Sequence, residues 1–290
     1  MSRASLPVLT AEVPSGTDEA YENFPVGSWL LPAPLRPHVA VFYAFARAIV
    51  DIADDPRLTP EEKVARLKGF ERAVLGQGMA NPAFAKGHAM YRTLQRTGVT
   101  PRHCLDLIDA FKQDATKQRY ASWEELIDYC MRSAAPVGRF LLDLHGGSRH
   151  GYGPADALCN ALQVINHLQD CQEDFRVLDR VYLPTDWMTE AGMAVEDLDR
   201  TVTSPSSRQV FDRTLDRVAA LLDEAAALPA GLRSRRLAME AGAILDIART
   251  LTGRLRREDP LAGRIALTKP HYMVCCVRGA AFAAFQTSRR

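Results

Sequence analysis

Two groups of acidic residues, separated by more than 100 positions, carry the strongest chemical signal in the sequence. The second group is Gln163-x-x-Asn166-x-x-x-Asp170-x-x-x-Asp174. At about 100° per residue, these four side chains fall within an arc of about 80° on one helix face. Asp170 and Asp174 are then about 6 Å apart along the axis, where like charges weaken a helix by about 0.2–0.5 kcal/mol. We interpret carboxylates kept at this spacing as ligands for a cation.

The first group is Asp51-x-x-Asp54-Asp55, at the end of an apolar helical run that stops before Pro56. Negative charge at a helix C-terminus is disfavoured by about 0.3–1 kcal/mol, because the helix dipole is negative there. Arg47 lies one turn earlier, so a simple surface ion pair between Arg47 and Asp51 is the structural alternative.

Two carboxylate-bearing helix faces that oppose each other across a cavity would suit Mg²⁺ and a diphosphate. Magnesium prefers hard oxygen ligands and usually combines one or two carboxylates with substrate phosphates. A diphosphate leaving group needs its charge neutralised before its C–O bond ionises. The alternative is a solvated polar face, which is common on surface helices. Against it, the arc from Gln163 to Asp174 contains no Lys or Arg to pair with the acids.

Composition restricts the class of protein. The chain has 290 residues, of which 47% are hydrophobic, enough for one large core or two small ones. A net charge of +1 argues against a whole-molecule electrostatic binder of nucleic acid. The six cysteines show no C-x-x-C or zinc spacing and indicate thiols in a reducing compartment. We find no signal-peptide h-region and no apolar run of 18 residues, so we expect a cytoplasmic protein without a transmembrane helix.

Helix signals dominate after a lead, residues 1–20, that is rich in Pro, Ser, Thr and Gly. Thr59-Pro60-Glu61-Glu62 and Ser122-Trp123-Glu124-Glu125 are capping boxes, and Pro136 predicts a kink in the helix that follows Ser122. Arg180 to Pro184 reads as a short extended link after the helix of the second acidic group. No strand pattern competes, so the sequence predicts one all-α domain over residues 21–290.

Four ordered motifs resemble those of the squalene and phytoene synthases, over roughly residues 21–286. They are Phe42-Tyr43-Ala44-Phe45-Ala46-Arg47 with Asp51-x-x-Asp54, Tyr129-Cys130-x-x-Ser133-Ala-x-Pro136-Val137-Gly138, Gln163 to Asp174, and Arg180-Val-Tyr182-Leu-Pro184. Within that family, Glu22-Asn23-Phe24-Pro25-Val26 and Ser28-Trp29-Leu-Leu-Pro32 resemble the hydroxysqualene synthase branch of the hopanoid pathway. The resemblance implies an all-α isoprenoid-synthase fold with a central active-site cavity.

The resemblance also implies a reaction. The hydroxysqualene branch ionises presqualene diphosphate, lets the cyclopropyl cation rearrange, and captures it with water. The alternatives are head-to-head condensation of two farnesyl diphosphates to presqualene diphosphate or squalene, and a degenerate family member that acts as an assembly or interaction protein. A presqualene diphosphate synthase is then a functional partner.

Roles carry over by motif position. The resemblance makes Asp54, Asp170 and Asp174 Mg²⁺ ligands with Asn166 beside them. It also implies that a second set of residues lines the diphosphate or cation site, namely Arg47, Tyr129, Gln163 and Arg180. The ring face of Tyr129 is suited to stabilise a cation, although an ordinary buried tyrosine is an equal alternative.

One position departs from the family pattern. The first motif of the family opens with two adjacent aspartates, whereas here the first of them is Val50. Asp51 shares an arc of about 60° with Arg47 and Asp54, and Asp55 restores the i,i+4 spacing, so both are candidate replacement ligands. We therefore predict weakened but not abolished Mg²⁺ affinity.

Weaker signals remain. Asp114-Ala-Thr-Lys117-Gln-Arg119-Tyr120 lies near the diphosphate by resemblance, or is a solvated helix end. His145-Gly-Gly-Ser-Arg-His150 reads as a helix terminator rather than a metal loop. The absence of a dinucleotide-binding fingerprint argues softly against a nicotinamide cofactor, although squalene synthases bind NADPH without one. An apolar C30 product implies peripheral contact with the inner membrane face, through the lead and the last helix with Arg278, Arg289 and Arg290.

Overall fold

The computed structural model describes residues 31–78 and 81–288, with side chains as far as 285. These residues form an all-α fold, as the sequence predicts, with one small two-stranded sheet. The helices are α1 Arg36–Asp54, α2 Pro60–Val74, α3 Ala85–Thr97, α4 Arg102–Asp114, α5 Trp123–Ser133, α6 Ala135–Leu144, α7 Gly153–Leu178, α8 Thr185–Ala191, α9 Pro205–Ala225, α10 Leu228–Gly231, α11 Arg235–Leu255 and α12 Lys269–Ser288. The lead, the segment from Glu22 to Trp29, Arg289 and Arg290 lie outside the described residues.

Local sequence signals set several helix ends. The side chain of Thr59 accepts a hydrogen bond from the Glu62 amide, and Glu62 accepts one from the Thr59 amide, which confirms the capping box. The other box is only half formed, because Glu125 accepts from the amide of Ala121 rather than from that of Ser122. The chain ends α3 at Gly98, whose φ of 71° needs the left-handed conformation that glycine adopts without strain.

The expected kink divides one long helix into α5 and α6. Ala134, with φ −122° and ψ −50°, separates the two helices, and Pro136 lies in the first turn of α6. Proline is tolerated in a first turn because its missing N–H has no intrahelical acceptor there. The break lets both segments face the same interior space.

The extended link after α7 pairs with a partner that the sequence patterns did not reveal. Strand β2, Val181–Pro184, lies parallel to β1, Arg119–Tyr120. Two residues are too few to show an alternating pattern, which explains why β1 was not predicted. The pairing fixes the direction in which the chain leaves α7.

The interior contains two apolar clusters. The smaller cluster packs helices α1, α2, α3 and α4 together through residues such as Phe45, Phe70 and Ile108. The larger cluster surrounds α7, α9 and α11. Helices α11 and α12 approach closely where Gly242 faces Gly279. Glycine is needed at both positions, because a Cβ on either one would collide with the backbone of the other. A cavity lies between the helices of the two clusters.

Candidate active site

A cavity of about 420 Å³ is enclosed mainly by α1, α4, α5, α6, α7 and α11. One end of its wall carries charged and polar groups, while most of the remaining wall is apolar. The polar and ionisable side chains that line it are Tyr43, Arg47, Asp54, Asp114, Tyr129, Ser133, Cys159, Gln163, Asn166, His167, Asp170, Asp174, Arg180, Tyr182, Glu240 and Arg264. This arrangement fits a ligand with a charged head and a long hydrocarbon body.

Helix α7 supplies the whole second acidic group to the cavity. Gln163, Asn166, Asp170 and Asp174 all line it, as their shared helix face predicts. The opposite face is anchored in the larger apolar cluster, for instance by Ile165, which is fully buried. The burial of that apolar face holds the acidic face toward the cavity, so the solvated-face alternative does not describe this helix.

Carboxylates from different helices influence each other at this end. Burial raises the pKa of Asp174 to about 8, and the negative charges of Asp170 and Asp54 raise it further. Like charges gathered in a partly desolvated site favour the protonated form of one of them. A cation would remove that repulsion, so the donor set fits a divalent metal.

The first acidic group divides between two environments. Val50 and Asp54, one turn apart on α1, line the cavity. Asp51 and Asp55 are buried but are not among the described residues that line it. Asp51 pairs with Arg47 at 3.3 Å, which is the ion pair considered as the alternative for this residue.

Asp55 is held away from the cavity by its neighbour. Its carboxylate accepts hydrogen bonds from the backbone amide and the guanidinium of Arg57, at 2.9 and 3.0 Å. The hydrogen bond from the Arg57 guanidinium lowers the pKa of Asp55. This effect is larger than the opposing effect of burial, which raises it. Of the three carboxylates in the first acidic group, the structure thus brings Asp54 to the cavity.

Arg180 follows the helix of the second acidic group and binds the end of the helix that carries the first. Its guanidinium donates to the Asp54 carboxylate at 2.5 Å and to the Ala53 carbonyl at 2.7 Å. Lys63 also donates to the Ala53 carbonyl, at 2.8 Å. These cations offset the dipole at the α1 C-terminus, which explains how acidic residues are tolerated there.

The exit from α7 aims Arg180. Asp179 ends the helix in the left-handed conformation, with φ 50°, and the Arg180 amide then donates to the Asp174 carbonyl at 3.1 Å. The next amide, that of Val181, donates to the Gln118 carbonyl at 2.9 Å. These bonds turn the chain back toward the cavity and explain the placement of the Arg180 side chain.

A second arginine at this end had no sequence signal. Arg264 lies in the segment between α11 and α12, and its Nε donates to Asp170 at 2.6 Å. No motif or helical period marks that segment, so only the folded structure reveals the contact. With Arg180, it provides two planar cations suited to bind phosphate oxygens.

An aromatic group lies beside the charged end. Tyr129 donates a hydrogen bond to the Asp114 carboxylate at 2.6 Å. Its ring is 5.2 Å from that of Tyr120 and 5.7 Å from that of Tyr182, measured between centroids. Burial raises the pKa of Asp114 to about 7, against the opposing charge of Arg180. The site therefore holds π-faces next to carboxylates, a suitable setting for a carbocation.

Within the described residues, no three Asp, Glu, His or Cys side chains are clustered tightly enough to enclose a metal ion by themselves. Magnesium commonly needs fewer protein ligands, because substrate phosphates complete its shell. Asp54, Asp170, Asp174 and Asn166 are the cavity-lining oxygen donors that fit this use.

The fold and this site define a class of protein. Residues 17–271 match the model of the squalene/phytoene synthase family. The chain belongs to that family and is a squalene/phytoene synthase-type enzyme, as the four motifs predict.

Particular relatives agree with the expected branch. The chain is 41% identical to the hydroxysqualene synthase of Rhodopseudomonas palustris, across 91% of this chain and 89% of that protein. It is 37% identical to the hydroxysqualene synthase of Zymomonas mobilis, across 94% and 90%. Among solved structures, a squalene synthase from Alicyclobacillus acidocaldarius superposes with a TM-score of 0.70 at 31% identity, across 80% of this chain and 87% of that one.

None of the helices in the described part of the chain is both long and apolar enough to cross a membrane. The outer side of α12 is nevertheless apolar. Its exposed side chains include Met273, Val274, Val277, Phe282 and Phe285, each more than half accessible to solvent.

Proposed function

We propose that this enzyme converts presqualene diphosphate to hydroxysqualene with Mg²⁺ and water. The observation that carries the proposal is the convergence of Asp54 from α1 with Asp170 and Asp174 from α7 at the polar end of an apolar cavity. The similarity to hydroxysqualene synthases supports this choice among the family's reactions.

Binding would place the diphosphate among the carboxylates and arginines. Asp54, Asp170, Asp174 and Asn166 would hold Mg²⁺, which would supply charge neutralisation for the departing diphosphate. Arg180 and Arg264 already contact Asp54 and Asp170 and are positioned to donate to phosphate oxygens as well. We propose no direct metal contact for Asp51 or Asp55, since neither is among the described residues that line the cavity.

The cation would form beside the tyrosines. Tyr129 and Tyr182 offer ring faces that stabilise positive charge, and the surrounding apolar wall limits access of bulk water. The hydrogen bond from Tyr129 to Asp114 holds the Tyr129 ring in one orientation. The two hydrocarbon chains of the substrate would lie along α7. Its cavity-lining residues run from Ala155 to Asp174, over about 28 Å.

Product analysis tests this function. Purified enzyme is supplied with presqualene diphosphate, and separately with farnesyl diphosphate, with and without Mg²⁺ and NADPH, and products are identified by mass spectrometry. We expect a hydroxylated C30 product from presqualene diphosphate with Mg²⁺ and without NADPH. Presqualene diphosphate or squalene formed from farnesyl diphosphate would instead identify the condensing activity.

The degenerate, non-catalytic alternative is tested by Asp170→Asn. We expect this variant to lose diphosphate turnover and to fail to restore the product in cells that lack the enzyme. Restoration by a variant without turnover would show that the cellular role is not catalysis.

We also propose that α12 binds an anionic membrane surface and so gives apolar substrate and product a route to lipid. The exposed apolar residues of α12 support this, as does its lack of Asp and Glu beside the cation Lys269. Arg278 is also exposed, but its guanidinium is paired with Asp246 of α11. Substrate would be supplied by an enzyme that joins two farnesyl diphosphates, a presqualene diphosphate synthase.

Vesicle co-sedimentation tests the membrane contact. We expect binding to phosphatidylglycerol vesicles, weaker binding to phosphatidylcholine vesicles, and loss of binding in Phe282→Glu. Equal sedimentation of Phe282→Glu and wild type would contradict it. A concentration-dependent dimer that Phe282→Glu abolishes would assign the surface to a second copy of the chain instead.

A further inference from the structure

His167 is a buried histidine on the cavity-facing side of α7. It lies between Gln163 and Asp170, one turn from each, and lines the cavity. Only 9% of the residue is exposed, and its Nε2 has no hydrogen-bond partner among the residues that the structure describes. A buried polar atom without a partner is unfavourable, so such an atom beside a cavity indicates a ligand or water.

The surroundings of His167 fix the orientation of its ring. The ring stacks on that of Tyr182, with centroids 3.6 Å apart and planes 10° from parallel. A neutral imidazole has one ring nitrogen that accepts a hydrogen bond and one that donates, so it can bind a water molecule in either sense.

A second, small cavity lies against the same ring. Its volume is about 10 Å³, and His167, Arg180 and Tyr182 line both it and the main cavity. That volume is close to the minimum that one water molecule requires. His167 thus borders both the substrate cavity and an adjoining space of the size of a single water.

We propose that Nε2 of His167 binds the water molecule that captures the carbocation, an inference that rests on the proposed function. The position agrees with the chemistry, because the cation forms where the diphosphate leaves and Asp170 is one helical turn from His167. Most other cavity-lining residues away from the charged end are apolar and do not hold water.

In the capture step, a lone pair of the water oxygen forms the new C–O bond to the cationic carbon, which gives a protonated alcohol. The protonated alcohol then loses one proton to an oxygen of the released diphosphate. The hydrogen bond between the water and Nε2 of His167 holds the water oxygen in place while the C–O bond forms.

Ser133 is a competing water ligand. It also lines the cavity, is 5% exposed, and its hydroxyl has no partner in the described part of the chain. It lies at the end of α5, whereas His167 shares a helix face with the carboxylates. Ser133→Ala therefore serves as the rival variant in the test.

The test follows the fate of the cation in His167→Phe, which keeps a ring for stacking on Tyr182. Presqualene diphosphate is supplied in ¹⁸O-water, and diphosphate release is measured together with the ratio of labelled alcohol to elimination products. We expect the ratio to fall by about tenfold or more, the value of one hydrogen bond in the capture step, while diphosphate release changes by less than about threefold.

Two further variants separate a chemical role from a structural one. His167→Gln keeps a hydrogen-bonding group of similar reach, and we expect it to retain more alcohol than His167→Phe. If His167→Phe does not fold, His167→Met replaces it, since methionine adapts to irregular space. His88→Phe is the matched control. His88 is also buried, its Nε2 has no partner among the described residues, and it lies on α3, outside the cavity-lining set.

The outcomes are distinct. An unchanged ratio in His167→Phe, or an equal change in His88→Phe, would overturn the assignment, as would a ratio that depends on Ser133→Ala and not on His167. If the wild type forms no alcohol from presqualene diphosphate, the proposed function itself fails, and the water site fails with it.

Discussion

Arg180 donates a hydrogen bond to Asp54 at 2.5 Å, across 126 positions of sequence. The side chain of Arg180 is 6% exposed, whereas that of Asp54 is 43% exposed. The guanidinium is thus sealed beneath a carboxylate that remains open toward the cavity. This pair joins the end of α1 to the segment that follows α7, and it orients the carboxylate proposed to share Mg²⁺ with Asp170 and Asp174.

Replacement of Arg180 tests that orientation. Arg180→Ala removes the donors to Asp54 and to the Ala53 carbonyl, so we expect kcat/KM to fall by about 100-fold or more. Stability should fall by about 1–3 kcal/mol, because the Ala53 carbonyl keeps only Lys63. Arg180→Lys should lie between wild type and Arg180→Ala, since an ammonium keeps the charge but not the two-pronged geometry. Steady-state kinetics and denaturant unfolding measure both effects.

Replacement of Val50 tests whether the carboxylate that the first motif lacks would strengthen Mg²⁺ binding. The side chain faces the cavity one turn before Asp54, so Val50→Asp would add an acid where metal binding is proposed. We expect the Mg²⁺ concentration for half-maximal turnover to fall by about tenfold, equivalent to about 1.4 kcal/mol. Val50→Asn is the uncharged control and should change it little. A Val50→Asp enzyme with unaltered Mg²⁺ dependence would show that the first motif does not contact metal.

Asp174 should make the metal-free protein less stable as pH rises. Its pKa is about 8 in the folded state against an ordinary value of 3.8, so between these pH values the folded state holds a proton that the unfolded state has lost. Unfolding is then favoured progressively until both states are ionised above about pH 8. Asp174→Asn removes this loss, and we expect its gain in Tm over wild type to grow from pH 5 to pH 9 in EDTA.

Asp55 provides a control of opposite sign. Arg57 lowers the pKa of Asp55 in the folded state, so this carboxylate stabilises the fold above its ordinary pKa and loses that effect in acid. Asp55→Asn should therefore lower Tm at neutral pH and approach wild type as the pH falls. Parallel shifts of the two variants with pH would contradict the assigned electrostatics.

Tyr129 separates ring-face stabilisation from hydrogen bonding. Tyr129→Phe keeps the ring but leaves the buried Asp114 without this donor, so we expect a loss of about 1–3 kcal/mol in stability and only a modest loss in turnover. Tyr129→Leu also removes the π-face, and its kcat should fall by at least a further tenfold. Equal kcat values in the two variants, measured under saturating substrate, would remove the ring from the mechanism.

The parts of the site that the sequence predicted are those that depend on helical periodicity. Asp170 and Asp174 face the cavity because the burial of Ile165 and its neighbours sets the rotation of α7. His167 belongs to the same face, only about 40° from Gln163, so the same argument could have identified it. Its apolar neighbours concealed it, because a single histidine among them resembles a core residue.

Other features depended on tertiary structure. Arg264 lies in an irregular segment and reaches Asp170 only after α11 packs against α7. Asp51 and Asp55 satisfied the spacing argument, yet local arginines bind both and draw them from the cavity. The sequence locates the end of a helix only to within one or two residues. That precision is too low to decide whether Asp54 or Asp55 faces the cavity.

The most direct measurement of the central claim is a crystal structure with Mn²⁺ and inorganic diphosphate, in which anomalous scattering locates the metal. The proposal predicts manganese in this cavity, in contact with the diphosphate, with Asp54 of the first acidic group and with Asp170 or Asp174 of the second. Arg180 or Arg264 should also donate to the diphosphate. Metal and diphosphate bound outside this cavity, with both acidic groups unoccupied, would contradict it.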